Sequence, residues 1–512
     1  MGSRRRMWIL LAGLIALPIA HQTIPHAGVH HALGIGGEDV AEAHSGHLSS
    51  ATVDPSLYKA PAGTSACPAN RDDVIHDSFP EPDYLFSQNG VLSLDLTAAL
   101  QPTEINGKTY MTSSYNGQFP GPTWVACPGD TINVHVQNDL VAANYTGEHP
   151  GETNLHTHGF HVSPHVPGDN VFRTILPGDD FQYQYNMPLD HPPGAYWYHP
   201  HLHGQTNPQV FAGMAGAIII QGGLDDDPAY ADIGTRDLVI QQTALGNGET
   251  LPFPGGGAAQ FFVNGELNPQ IPIEPGQLQR WRIYNASSGA FLKLQLSGGS
   301  FQILARDGNY VEQKERQQVM TIPPSSRREV LVRGGAAGNY DLLTLPFQPT
   351  PTFQQPQQTL ATVVSSGGPV NEPNTPRGVA DLEDLRHEHV DQFHKLVYSQ
   401  DPPNFYINGE QFNDSDLTPD ETMHLDDVEQ WKIVNTTTFW HTFHIHINDF
   451  QVTKINGHPV KGLNYDDDVA IPPSGSVVMR TRPTDFTGKF VYHCHVLGHE
   501  DGGMMGIVRV VK

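Results

Sequence analysis

Hydrophobic and polar positions alternate in short runs along this chain, the period of β-strands that bury one face. Three of these runs are Asp130-Thr131-Ile132-Asn133-Val134-His135-Val136, Leu278-Gln279-Arg280-Trp281-Arg282-Ile283 and Val428-Glu429-Gln430-Trp431-Lys432-Ile433. Each follows a turn signal: Tyr115-Asn116-Gly117, Val263-Asn264-Gly265 and Ile407-Asn408-Gly409, spaced by 148 and 144 residues. Each unit also closes alike, on Gly194-Ala195-Tyr196-Trp197-Tyr198, Gly338-Asn339-Tyr340-Asp341-Leu342 and Gly488-Lys489-Phe490-Val491-Tyr492. A repeat of this period implies three copies of one β-rich unit. Short strands between turn signals predict sandwich-type domains, here over residues 70–224, 225–375 and 376–512. Gly367 to Arg377, with its three prolines, reads as the linker before the third.

Composition agrees. The 512 residues suit about three domains at roughly 150 residues each. Gly and Pro together make about 18% of the chain, above the usual share of roughly 12%, which favours turns. A net charge of −26 argues against a nucleic-acid partner and weakly favours cationic ones. Residues 1–20 read as an export signal: Arg4-Arg5-Arg6 precede an apolar run, Met7 to Ala20, too short to span a bilayer comfortably. No stable membrane span is expected, and the mature protein is expected in the periplasm or outside the cell. Ser3 to Trp8 loosely resembles a twin-arginine signal, with an ordinary secretory signal the equal alternative. Residues 21–69, rich in His and Gly, read as a flexible, solvated segment. Six of their histidines (His21, His26, His30, His31, His44 and His47) could also capture metal.

The chemistry concentrates near the C-terminus. If Val491 to Val496 is a strand, Cys494 faces one side of the sheet while His493 and His495 face the other. A thiolate with His499 five residues on and Met504 ten residues on suits a blue-copper centre, which takes two His, one Cys and a weak axial Met. His441 supplies the second histidine. Superposing the units places Leu155-His156-Thr157-His158 and Tyr198-His199-Pro200-His201 of the first against Phe443-His444-Ile445-His446 and Tyr492-His493-Cys494-His495 of the third. The middle unit carries Phe291-Leu292-Lys293-Leu294 and Asp341-Leu342-Leu343-Thr344 there instead. Each His-X-His pair on a strand aims both rings one way. Four pairs give eight imidazoles without sulfur, which suits a copper cluster better than a lone structural zinc. Of three cysteines, Cys67 and Cys127 remain as a possible disulfide, consistent with export.

These four motifs, in order over about residues 75–512, resemble those of the multicopper oxidases. The resemblance implies an all-β fold of three cupredoxin-like Greek-key β-sandwich domains and four copper ions. It implies that His441, Cys494, His499 and Met504 bind type 1 copper, and that His156 and His444 bind type 2. His158, His199, His201, His446, His493 and His495 would bind the type 3 pair. It further implies that O2 is reduced to water with electrons passing through Cys494, and that Asp169 and Glu500 relay protons. Thr442 stands where many members have Pro, which changes no ligand. His203, His161, His165 and His191 fall outside the family pattern and read as polar neighbours.

The expected activity is laccase-like oxidation of phenols or aromatic amines. The alternative reductant is a metal ion, Fe(II), Mn(II) or Cu(I), oxidised for detoxification or homeostasis. The acidic charge keeps Fe(II) and Mn(II) open. The cuprous reading is weakened because a methionine-rich insert is missing: Gln302 to Tyr398 contains only Met320. A non-enzymatic structural role, known for relatives that lost ligands, fits poorly with a full ligand set. Two-domain copper nitrite reductases also fit poorly. A monomer is the default, since the first and third units can meet within one chain.

Overall fold

The computed structural model describes residues 73–512, except 143–144, 146–148, 249, 252–258 and 373. The expected export signal, the His-rich segment and Cys67 therefore lie outside the described residues. Among the described residues, no helix is long and apolar enough to cross a membrane.

The chain is all-β, and its repeat is visible in strand pairing. In the first unit, Val91–Ile105 runs parallel to Thr131–Asp139, which pairs antiparallel with Asp180–Asn186. Thr235–Leu245, Leu278–Asn285 and Arg327–Arg333 repeat that arrangement in the middle unit. Gln392–Asp401, Glu429–Asn435 and Ser476–Thr481 repeat it in the last. A second sheet in each unit contains the closing strand: Gly194–His199, Gly338–Thr344 or Gly488–Cys494. Between each pair of sheets lies an apolar core, represented by Trp124, Trp281 and Trp431, all fully buried.

The Asn-Gly signals work alike in all three places. Asn116, Asn264 and Asn408 have φ of 55°, 48° and 55°, and the glycines after them 71°, 84° and 89°. Two successive left-handed residues make the tight turn that Asn-Gly favours. Each Asn side chain then accepts a hydrogen bond from an earlier strand, from the N–H of Thr97, Val239 or Val397, at 2.7 to 2.9 Å. The backbone N–H of the same Asn donates to the carbonyl of that same residue at 2.9 to 3.0 Å. One residue thus fixes both turn and docking, which explains its recurrence.

The expected strand through Val496 ends earlier, at Cys494, and a short helix, Leu497–Glu500, follows. The turn is what returns His499 towards Cys494.

Candidate metal centres

Backbone pairing sets the geometry. His156 lies opposite His199, and His444 opposite His493, in antiparallel register. Adjacent strands of the first and last units, with the residues just past their ends, therefore present four histidines each, and all eight are at most 2% exposed. Their rings meet at one place. His201, His446 and His493 converge, with Nε2 atoms 3.0, 3.2 and 3.4 Å apart. His158, His199 and His495 form a second group able to share an ion, and His156, His158 and His444 a third.

On the opposite face of the Gly488–Cys494 strand, Cys494, His441 and His499 form a fourth group. Cys494 Sγ lies 3.4 Å from His441 Nδ1 and 3.6 Å from His499 Nδ1, and the two nitrogens are 3.1 Å apart. Met504 is fully buried in the same core, and its carbonyl accepts from the Cys494 N–H at 3.0 Å. His441 and Cys494 are fully buried, whereas His499 is half-buried.

The donor set fits metal. His156 Nδ1 faces Asp169 Oδ2 at 2.8 Å, His199 Nδ1 faces the Pro200 carbonyl at 2.7 Å, and His444 Nδ1 faces the Asp467 carbonyl at 2.8 Å. In each of the three, Nε2 is buried without a hydrogen-bond partner. Both ring nitrogens of His495 are likewise unpartnered. A buried polar atom with no partner costs about 1–3 kcal/mol, so a cluster of them is a poor structural core. An imidazole anchored through Nδ1 with Nε2 free is instead the usual arrangement of a metal ligand. Burial, with contributions from neighbouring histidines and polar groups, holds the His199 pKa at about 3 and that of His201 at about 4. Burial alone holds His499 at about 3. These rings are therefore neutral, the form that ligates. Burial also pushes the Cys494 thiol up to about 12, so its thiolate needs a cation beside it.

The two candidate relay carboxylates are both buried. Asp169 touches His156 and also accepts from the Thr157 N–H at 2.9 Å; burial pushes its pKa up to about 7 against those hydrogen bonds. Glu500 Oε2 lies 2.9 Å from His493 Nδ1, and Oε1 lies 3.5 Å from His201 Nδ1.

Three functional-looking residues carry no sequence motif. Asp468 Oδ2 lies 2.9 Å from His158 Nε2. Asp467 pairs with Arg327 of the middle unit through Nη1 at 2.8 Å and Nη2 at 2.6 Å. Arg327 Nε also donates to the Ala195 carbonyl of the first unit at 3.0 Å. The available signal was the run Asp466-Asp467-Asp468 before an apolar strand, a charge run that is buried rather than solvated. His161 spends both ring nitrogens on the Ile447 carbonyl and Asp485, each at 2.9 Å. His191 bonds the Pro192 carbonyl at 3.0 Å and the His161 N–H at 3.2 Å, and His165 is exposed.

Three family models described as multicopper oxidase match residues 98–224, 228–367 and 381–512. The chain is 27% identical over 439 residues to multicopper oxidase mco of Staphylococcus aureus, covering 83% of this chain and 90% of that protein. It is 25% identical over 387 residues to a laccase of Bacillus subtilis, covering 63% of this chain and 71% of that one. The solved multicopper oxidase of Campylobacter jejuni, described as a metallo-oxidase, superposes with a TM-score of 0.72 at 26% identity, covering 88% of this chain and 99% of that one.

Proposed function

The chain belongs to the multicopper oxidase family, and from that premise we propose that it is a laccase-like enzyme oxidising phenols or aromatic amines. Membership makes it a copper-dependent oxidoreductase that uses O2 as acceptor and a separate reductant. We read its complement as four copper ions: one held by His441, Cys494, His499 and Met504, one by His156 and His444, and a pair by His158, His199, His201, His446, His493 and His495. When bound, copper supplies one-electron acceptance from the donor and four-electron reduction of O2 to two waters.

The chain's own residues do the rest. His499, half-buried, is the ring of the cysteine site nearest solvent, so we assign it the donor side. Cys494 joins the two centres by a short covalent path through its own backbone to His493 and His495. Burial of the eight histidines keeps water and donor away from the oxygen side. Asp169 and Glu500 are read as proton holders, Asp169 at His156 Nδ1 and Glu500 Oε2 at His493 Nδ1. We further read the protein as exported and monomeric.

The observation that carries the laccase-like reading is the aromatic collar of His499. The Phe405 ring stacks on it with centroids 4.2 Å apart, and Phe439 lies at 6.0 Å. Beside His441, Trp440 packs with Phe347 at 5.4 Å and Phe291 at 6.0 Å. Phe405 itself is buried in the core, whereas Phe439 and Trp440 are half-buried beside the entry ligands, and such rings favour a planar organic donor. The second reading, a metal-ion donor, is supported by the net charge of −26 and by the name of the Campylobacter relative. Oxygen uptake by the copper-loaded protein decides: a methoxyphenol should drive fast uptake, with Fe(II) and Cu(I) slow after correction for autoxidation. Fast uptake with the metals alone would replace the laccase reading with the metal-oxidase one.

A further inference from the structure

His203 continues the alternation of His199 and His201 by one more step, yet its ring meets a different set of groups. Its Nδ1 lies 3.0 Å from Asp414 Oδ2, on a loop of the last unit between Asn404–Ile407 and Glu421–His424. Its Nε2 is buried without a hydrogen-bond partner. From another loop of the first unit, His149 brings Nε2 to 3.5 Å from the same Asp414 oxygen. The other nitrogen of His149, Nδ1, is 3.1 Å from Glu152 Oε2.

The 3.5 Å contact is too long for an ordinary N–H···O hydrogen bond, which spans about 2.7–3.2 Å. It is the separation expected of two atoms that share one tetrahedral ion. Ligands at about 2.0–2.2 Å from such an ion lie roughly 3.3–3.6 Å from each other. Glu152 behind His149 completes the carboxylate–histidine arrangement that orients a ligating ring and leaves its far nitrogen for the metal. Two imidazoles and one carboxylate form a mixed N and O set suited to a borderline divalent cation, with room for water, since the side chains are 17% to 36% exposed.

We propose that His149, His203 and Asp414 form a separate divalent-cation site of the zinc class, clipping the first unit to the last outside the copper centres. Nothing in this inference depends on which donor the enzyme oxidises.

The test uses the full, copper-loaded chain, so that the copper sites are filled before zinc is added. Wild type, His149→Ala, Asp414→Ala and the milder Asp414→Asn are dialysed against Zn2+, and bound zinc and copper are counted by elemental analysis. Histidines elsewhere, including the six of the N-terminal segment, contribute equally to all four and cancel. Wild type should hold about one more zinc ion per chain than each variant, with copper content and blue absorbance unchanged. Zinc should also raise the unfolding midpoint of wild type more than that of the variants. Equal zinc in wild type and in variants with full copper would overturn the site and leave a His203–Asp414 hydrogen bond.

Discussion

Replacing Arg327 with Met tests how the ligand-free middle unit supports the metal region. The guanidinium is 1% exposed and makes two short bonds to Asp467 and one to the Ala195 carbonyl, so it touches all three units. Met matches much of its length but donates nothing, leaving the Asp467 carboxylate buried at 1% exposure without its countercharge. Removing one partner of a buried ion pair costs about 3–5 kcal/mol, most of it the orphaned charge. The cost has a pH sign. In wild type, burial opposes the Asp467 charge, but Arg327 outweighs it and holds the carboxyl below its ordinary value. A depressed carboxyl stabilises the fold above its unfolded pKa of about 3.9, and that stability is lost on acidification. The gap between wild type and variant should therefore be full between about pH 5 and 7 and narrow as pH falls below about 4. The assay is denaturant unfolding of copper-loaded protein followed by tryptophan fluorescence, with blue absorbance and the type 2 electron-paramagnetic signal read on the same samples. Blue absorbance should survive, because Cys494 lies on the far face of its strand, while the type 2 signal should change. The double variant Arg327→Met/Asp467→Asn should regain roughly 2 kcal/mol, since it removes the stranded charge. A single variant within 1 kcal/mol of wild type, or a double variant no more stable than the single, would refute the reasoning.

Glu500→Gln should slow oxygen turnover roughly 10²-fold while leaving anaerobic bleaching of the blue band unchanged; unaltered turnover would remove Glu500 from the relay. His394 is 6% exposed and held between Glu421 and Glu429 at 2.7 Å on each side. Burial opposes its charge, but the two carboxylates win and raise its pKa to about 9. Its contribution, about 3 kcal/mol, is complete below pH 6.5 and lost as pH rises through 9. Stability profiles from pH 6 to 10 should show that fall in wild type and lack it in His394→Gln. Cys127 is disulfide-bonded and Cys494 is free; a thiol titration of unfolded, metal-free protein should find one thiol, and three would exclude the bridge.

The repeat and the histidine pairs were legible because both are local. Asn-Gly needs only two left-handed residues, and His-X-His needs only strand alternation, so neither depends on distant chain. The end of the last closing strand was not legible, because nothing in Val491 to Val496 signals a turn after Cys494. The return of the chain is held instead by distant groups, such as the Ser288 carbonyl that accepts from the Leu497 N–H at 2.8 Å. Asp467, Asp468 and Arg327 were invisible for a related reason. A carboxylate or guanidinium reads as surface unless its partner is known; Arg327 and Asp467 lie 140 residues apart, and Asp468 and His158 lie 310 apart.

The middle unit, which lacks histidine pairs, nevertheless grips both centres, and it does so mainly through backbone. The Ser288 carbonyl accepts from the Leu497 N–H at 2.8 Å, fixing the start of the short helix that carries His499. The Pro349 carbonyl accepts from the Trp440 N–H at 2.8 Å, next to His441. On the other centre, Arg327 holds Asp467, whose carbonyl anchors His444. At Gly194 the closing strand of the first unit meets Gly308 so closely that an added Cβ would lie 2.4 Å from the Gly308 carbonyl. Contacts of this kind constrain position without adding a donor that could compete for metal. Sites held to within about half an ångström depend on such supports rather than on the ligands alone. Loss of ligands in the middle repeat is therefore compatible with a retained role, because main-chain carbonyls persist under side-chain change while the fold persists. The sensitive positions are therefore Arg327 and Gly308 of the middle unit, with Gly194 of the first unit packed against Gly308, not Leu292, Leu294, Leu342 and Thr344, where the other units carry histidine.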